Sequence, residues 1–119
     1  DHAATLNALG YTLTNHTQRY DEAANLIERA RVLSPGDPAL LYSFGWVYYK
    51  LGQYSESEAL LREAHNAFPD PEVAAHLGEV LWVQGRQFEA RDVWRDGLGR
   101  VPDHPIILET VKRLGAELP

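Results

Sequence analysis

Cysteine is absent from all 119 residues, which excludes disulfide bonds and cysteine metal sites but leaves the cellular compartment open. Long apolar runs are missing too, because no stretch approaches the roughly 18 apolar residues that span a bilayer. The segment 1–6 shows no features of a secretory signal and is typical of the interior of a helix. We therefore expect a soluble fragment of a longer protein, with any signal peptide or lipid anchor upstream of it.

Clusters of basic residues are also missing. The chain has 11 Lys and Arg against 17 Asp and Glu, a net charge of −6. The arginines of the segment 86–100 alternate with acids, whereas nucleic acids and anionic membranes select clustered cations. The composition, with 45% hydrophobic and 24% charged residues, is that of a folded domain. We expect one domain over residues 1–119, with no nucleic-acid partner and no direct membrane insertion.

Catalytic and metal-binding patterns are equally scarce. No two histidines lie four residues apart on one predicted helix, and there is no glycine-rich phosphate loop or Gly-x-Ser-x-Gly motif. The acidic residues fall on faces predicted to be solvated. His65 and His76 are predicted to have structural roles, at a helix end and between hairpins. The sequence thus predicts no enzyme, no cofactor and no metal.

A period near 34 residues organises the chain. Gly10, Gly45 and Gly78 are spaced by 35 and 33 residues, and prolines follow them at 25, 24 and 24 residues. Such a period is typical of stacked helical hairpins. The surrounding positions resemble the tetratricopeptide pattern, in which small and large apolar residues recur at fixed places. The matching residues are Leu6, Leu9, Gly10, Leu13, Ala23, Ile27, Ala30 and Pro35; Leu41, Phe44, Gly45, Tyr48, Ser57, Leu61, Ala64 and Pro69; and Ala74, Leu77, Gly78, Leu81, Ala90, Trp94, Gly97 and Pro102.

This resemblance implies an all-α fold, a right-handed αα superhelix of three hairpins plus a C-terminal capping helix. The repeats would cover about 3–36, 38–70 and 71–104, and the capping helix 105–117. The predicted helices are 2–15, 20–33, 38–51, 54–66, 71–84, 87–100 and 105–117. The last helix would carry one apolar stripe, formed by Ile107, Val111, Leu114 and Leu118. The first helix, in contrast, presents apolar residues with nothing to cover them. We therefore expect that the fragment can form a homodimer through its first helix.

Local signals support these bounds. Asp37-Pro38 and Asp70-Pro71 each combine an N-cap acid with a proline at the first helical position, and His104-Pro105 does so less clearly. Glycines at 52 and 85 are predicted to turn each first helix into its partner. The first hairpin has no such glycine, so Asn15 or His16 is expected to take the left-handed conformation there. Trp94 and Tyr48 are predicted to be core residues.

Three stretches are similar to a narrower group. They are 6–13, 44–47 and 69–82, and they resemble the C-terminal repeats of tetratricopeptide lipoproteins in the outer membrane of pseudomonads and other Gram-negative bacteria. A member of that group is an adaptor that brings cell-wall hydrolases to a periplasmic carboxyl-terminal processing protease. The resemblance implies a parent protein on the periplasmic side of the outer membrane, with that protease or its substrates as partner.

A binding surface is predicted where the first helices of such hairpins face a common groove. Aromatic rings are frequent at the outward positions of these helices, and Tyr and Trp suit interfaces. The same rings equally suit packing between neighbouring hairpins, so both readings stay open. A carboxylate clamp is disfavoured, because acids stand on this face where lysines and arginines would be needed. The predicted binding residues are Asn7, Tyr11, Tyr42, Trp46, Tyr49, Lys50, Glu79 and Trp82.

The sequence therefore favours a protein-interaction module whose groove takes an extended or helical segment with apolar side chains. The alternative is a structural end-piece of a longer array, which mediates self-association while the partner binds upstream.

Overall fold

Helices account for nearly all of the regular structure in the computed structural model, which describes residues 2–118. No strand occurs in that range, so the predicted all-α class is confirmed. Contacts divide the chain into two compact units, residues 1–64 and 65–119. The seven helices are α1 (His2–His16), α2 (Tyr20–Leu33), α3 (Pro38–Lys50), α4 (Tyr54–Ala67), α5 (Pro71–Val83), α6 (Gln87–Arg100) and α7 (Pro105–Arg113).

The helix starts follow the predicted caps. The Asp37 carboxylate accepts the N–H of Ala39 at 3.0 Å, and the Asp70 carboxylate accepts the N–H of Glu72 at 2.8 Å. Each bond satisfies one of the backbone donors that a helix leaves unpaired at its first turn. His104 caps α7 in the same way, because its Nδ1 accepts the N–H of Ile106 at 3.2 Å.

The turn of the first hairpin differs from the prediction. Neither Asn15 nor His16 is left-handed, since α1 continues through His16. Thr17 closes the turn instead: its hydroxyl donates to the Leu13 carbonyl at 2.6 Å and accepts the N–H of Arg19 at 3.0 Å. A threonine side chain therefore does the work that a left-handed glycine does at Gly52, where φ is +82°.

The C-terminal helix is shorter than predicted and ends at Arg113 rather than near 117. Gly115 adopts a φ of +71°, and its N–H donates to the Lys112 carbonyl at 3.1 Å. A left-handed glycine just past the last turn stops a helix. Ile107 and Val111 of the predicted apolar stripe are buried, whereas Leu118 lies outside the helix.

In each of the two hairpins of the first unit, a side chain of the second helix packs against the repeat glycine of the first helix. A Cβ on Gly10 would lie 2.7 Å from Ile27, and one on Gly45 would lie 2.7 Å from Leu61. The helices therefore approach more closely than any larger residue would permit. Ser57 of α4 adds a buried hydrogen bond to the Gly45 carbonyl at 2.6 Å.

The second unit is built around Trp94, which is fully buried as predicted. Its indole N–H donates to the Ala75 carbonyl at 3.2 Å, so α6 is tied to α5 by a hydrogen bond as well as by packing. Helix α7 rests on both of these helices, and Ile107 contacts Gly97. In the first unit the other predicted core aromatic, Tyr48, is half-buried and stacks on Phe44 with ring centroids 5.7 Å apart.

Candidate interaction surface

Two tyrosines from successive first helices meet in the first unit. Tyr11 of α1 and Tyr42 of α3 have ring centroids 5.6 Å apart, and their hydroxyl oxygens are 2.9 Å apart. Both side chains are half-buried. We call the surface formed by Asn7, Tyr11, Tyr42, Tyr49 and Lys50 the aromatic face of the first unit. Asn7 lies one turn before Tyr11 on α1, and Tyr49 and Lys50 follow Tyr42 about two turns later on α3; the five are among the eight residues that were predicted to bind a partner.

Trp46 lies beneath this face rather than on it. Only 5% of the residue is exposed, and its indole N–H donates to the Asn15 side-chain oxygen at 3.0 Å. The ring of Tyr49 stacks on the indole at 4.8 Å, and Tyr54 follows at 5.6 Å from Tyr49. Trp46 therefore supports the aromatic face, and a ligand would have little of its surface to contact.

A cation borders the aromatic face. The Lys50 ammonium lies 5.0 Å from the Trp46 ring centroid and 5.9 Å from that of Tyr49. Such a position is favourable because the face of an aromatic ring carries partial negative charge. The side chain is exposed, so the positive charge is also available to a ligand.

Asn7 contributes a buried acceptor. The residue is half-buried, but its side-chain oxygen is shielded from solvent and has no hydrogen-bond partner within residues 2–118. An acceptor left in this state costs free energy that a donor would recover. Asn7 is thus the one residue of the aromatic face with an unmet hydrogen-bonding requirement.

The two predicted residues of the second unit are engaged in contacts inside that unit. Glu79 is only 3% exposed and forms an ion pair with Arg113 of α7. Trp82 is half-buried, with the Trp94 ring at 5.9 Å and the Arg91 guanidinium at 5.2 Å. The Glu79 carboxylate, which was expected to face the groove, is therefore buried and paired with a positive charge. A binding role for either residue stays a prediction.

Asn15, Arg91 and Arg113 contact predicted site residues, although none of the three was predicted to do so. A signal for two of them exists, since Asn15 precedes Trp46 by 31 residues and Arg113 follows Glu79 by 34. Tyr11 and Tyr42 are also 31 residues apart. Contacts of α1 with α3, and of α5 with the capping helix α7, thus occur at about one repeat length, which a search at that spacing would reveal.

Neither metal chemistry nor a membrane span is indicated by the described part of the chain. Residues 2–118 contain no group of three or more His, Cys, Asp or Glu placed to hold an ion. In the same range no helix has both the length and the apolar character needed to cross a bilayer.

In each hairpin a large side chain of the second helix packs against a glycine of the first helix. Antiparallel hairpins of this kind define a class, the short helical-repeat proteins. The chain belongs to the tetratricopeptide repeat family, whose pattern matches residues 16–80. It is also similar to a TPR repeat-containing protein of Pseudomonas aeruginosa, with 54% identity over 120 residues. That match covers the whole chain but only 20% of the relative, so the chain spans about a fifth of its length.

Solved structures with the same fold include proteins bound to peptides. The first TPR of Spaghetti (RPAP3), bound to an HSP90 peptide, has a TM-score of 0.80 at 16% identity, covering 96% of this chain and 90% of that one. PcrH with the chaperone binding region of PopB has a TM-score of 0.75 at 18% identity, covering 95% and 91%. MamA has a TM-score of 0.69 at 24% identity, covering 95% and 64%. At these identities the likeness shows the fold.

Proposed function

We propose that this chain is a protein-interaction module that binds a segment of a partner protein on the aromatic face of the first unit. The observation that carries the proposal is the pairing of Tyr11 and Tyr42, half-buried and joined through their hydroxyls at 2.9 Å. Tyrosine buries a large area on binding and loses little conformational entropy, because only two torsions must be fixed. Rings that are already held in place reduce that loss further.

The remaining residues of the aromatic face indicate the chemistry of the segment. The Asn7 side chain would have to turn outward to accept an N–H of the segment, because its oxygen is shielded from solvent. The rings of Tyr42 and Tyr49 suit apolar side chains, and Lys50 suits a carbonyl or carboxylate at one end. An extended or helical segment with apolar side chains meets these requirements. The RPAP3 and PcrH structures, one with an HSP90 peptide and one with a region of PopB, support binding of a protein segment by this fold.

For the parent protein we propose an adaptor role in the cell envelope. The 54% identical relative comes from Pseudomonas aeruginosa, and the sequence resembles outer-membrane lipoprotein adaptors of pseudomonads. The parent would then lie on the periplasmic side of the outer membrane, and its partner would be a carboxyl-terminal processing protease or the substrates of that protease. Binding of that partner by Glu79 and Trp82 stays a prediction, since both residues also contact others within the second unit.

The alternative function is that of an end-piece that mediates self-association, including a homodimer through α1. One observation favours it. Leu9 is 49% exposed, whereas Phe44 and Leu77, at the equivalent place before the repeat glycine, are 3% and 1% exposed. Phe44 is covered by residues of α2, and a second copy of the chain could cover Leu9 in the corresponding way.

A comparison of two matched variants tests the proposal. Tyr42→Ala combined with Lys50→Glu removes one ring and reverses one charge on the aromatic face. Val32→Ala combined with Arg29→Glu makes the same kind of change on α2, where both residues are exposed. Wild type and both variants are used to capture proteins from a pseudomonad envelope extract, after circular dichroism has shown equal helix content.

We expect one protein to be retained by the wild type and the α2 variant, and its recovery to fall about tenfold with the aromatic-face variant. Titration of that purified protein must then give the same order of affinities. Equal capture by all three chains would rule out the aromatic face. Capture of nothing but the chain itself would favour the end-piece.

A further inference from the structure

A second surface lies in the second unit, on the outer side of α6. Phe88, Arg91, Arg95 and Glu117 line a cleft of about 320 Å³. The first three are spaced i, i+3 and i+7, so they share one face of the helix. Phe88 is 79% exposed, which is unusual for a residue whose burial would be favourable by about 2–3 kcal/mol.

The cleft contains two guanidinium groups without a carboxylate partner. Most arginines of the chain form ion pairs, as Arg86 does with Glu89 and Arg100 with Asp96. Within residues 2–118, neither Arg91 nor Arg95 comes within 4.0 Å of a carboxylate oxygen, although Glu117 borders the cleft. Two unneutralised cations side by side are notable in a chain with a net charge of −6.

Arg91 is held in a fixed position. Its guanidinium lies 5.2 Å from the centroid of the Trp82 ring, and its Nε–H donates to the backbone carbonyl of Glu117 at 2.9 Å. Trp82 in turn contacts the fully buried Trp94. The two Nη atoms of Arg91 make no hydrogen bond within the described residues. A planar donor group is therefore fixed, with its outer N–H groups left for a ligand.

The repeat fold does not require these residues. The places of Phe88, Arg91 and Arg95 are taken by Asp21, Ala24 and Glu28 in the first hairpin, and by Ser55, Glu58 and Arg62 in the second. All three hairpins nevertheless form. An aromatic ring and two arginines at these places, neither paired with a carboxylate of residues 2–118, thus occur only in the third hairpin.

We propose that this cleft binds an acidic segment of a partner protein, with carboxylates on Arg91 and Arg95 and an apolar side chain on Phe88. Arginine suits such recognition because its fork of N–H donors matches the two oxygens of a carboxylate. Two arginines are too few for a polyanion such as nucleic acid, which is bound through many phosphate contacts. The site uses no residue of the aromatic face, so a test of this proposal is independent of the test of the proposed function.

The experiment is an NMR titration of the ¹⁵N-labelled chain, in which the arginine Nε–Hε signals are followed. The probe is the blocked peptide acetyl-Glu-Leu-Glu-Glu-Leu-Glu-amide, and the control peptide has glutamine at every glutamate. We expect saturable shifts of the Arg91 and Arg95 signals with the acidic peptide and none with the neutral one. Raising the salt concentration should weaken the binding, because exposed charges are screened.

Variants then test the site itself. Arg95→Gln changes an exposed side chain and should weaken binding of the acidic peptide by about threefold to fivefold. Phe88→Ser should weaken it by a similar factor. Arg29→Gln removes an arginine of α2 that is also exposed, and it should leave the affinity unchanged.

Three results would overturn the proposal. Arg29→Gln weakening the binding as much as Arg95→Gln would show a non-specific charge effect. Equal binding of the neutral peptide would show that carboxylates are not recognised. Shifts of the Arg91 and Arg95 signals with protein concentration alone, without peptide, would assign the cleft to contacts between copies of the chain.

Discussion

The indole ring of Trp94 lies so close to Gly78 that a Cβ on the glycine would come within 2.1 Å of the indole Nε1. Neither the rigid ring nor the α5 backbone can move aside cheaply, because the indole N–H is also bonded to the Ala75 carbonyl. We expect Gly78→Ala to lower the free energy of unfolding by about 3 kcal/mol, near the upper end for overpacking. Urea denaturation followed by helical circular dichroism would measure it.

Gly99→Ala is the control for that substitution. A Cβ on Gly99 meets nothing within 4 Å, and the residue lies in the last turn of α6. Alanine should therefore raise the free energy of unfolding by about 0.5–1 kcal/mol, because it favours the helix. Equal stability of the two variants would contradict the close contact between Gly78 and Trp94.

The ion pair between Glu79 and Arg113 supports a second prediction. Arg113→Ala would leave the buried Glu79 carboxylate without its counter-charge and should lower the free energy of unfolding by about 1–3 kcal/mol, the half-exposed arginine keeping the loss moderate. Adding Glu79→Gln should restore part of that loss. Arg100→Ala, whose partner Asp96 is 52% exposed, should change stability by no more than about 0.5 kcal/mol. Equal losses from the two arginines would show that burial of Glu79 has no energetic consequence.

A third prediction concerns the start of α7. His104 caps this helix through Nδ1, a weaker arrangement than the carboxylate caps of Asp37 and Asp70. We expect His104→Asp to raise the free energy of unfolding by about 0.5–1 kcal/mol, since aspartate is among the preferred N-caps and also suits the helix dipole. Thermal unfolding would show a higher midpoint. An unchanged or lower midpoint would mean that the imidazole contributes packing that a carboxylate cannot replace.

The exposure of Leu9 gives a fourth prediction, on self-association. Leu9→Ser should reduce any homodimer seen by sedimentation while changing the stability of the monomer by no more than about 0.5 kcal/mol. Val32→Ser is the control, because that residue is 74% exposed but lies on α2. A dimer that survives Leu9→Ser and disappears with Val32→Ser would place the contact away from α1. A chain that sediments only as a monomer would remove the homodimer altogether.

The hairpins were predictable because their determinants are local. These determinants are glycines at the close contacts and turns, and aspartate followed by proline at the helix starts. Each acts over a few residues and can be recognised in the sequence. The end of α7 was missed because an apolar stripe continued to Leu118, whereas a single glycine at 115 decided where the helix stops. In the first turn, a threonine side chain replaced the expected left-handed residue.

The candidate surface was less predictable, since periodicity shows which side a residue takes but not what covers it. Trp46 stands at an outward position of α3, yet it is covered and bonded to Asn15, which comes from one repeat earlier. Glu79 is paired with an arginine from a helix that the repeat pattern does not describe. Whether a ring or a charge on such a face stays open depends on pairings between distant helices.

The three close contacts at the repeat glycines have a consequence for how such chains diversify. Gly10 faces Ile27, Gly45 faces Leu61, and Gly78 faces Trp94, so each first helix is fitted to a second helix of a different shape. A recombinant that joined α6 to the first helix of another hairpin would carry a clash at Trp94, and one that joined α5 to α2 or α4 would leave a void. Exchange that involves the third hairpin should therefore succeed only when both of its helices move together, which makes that hairpin, rather than its single helices, the unit of inheritance.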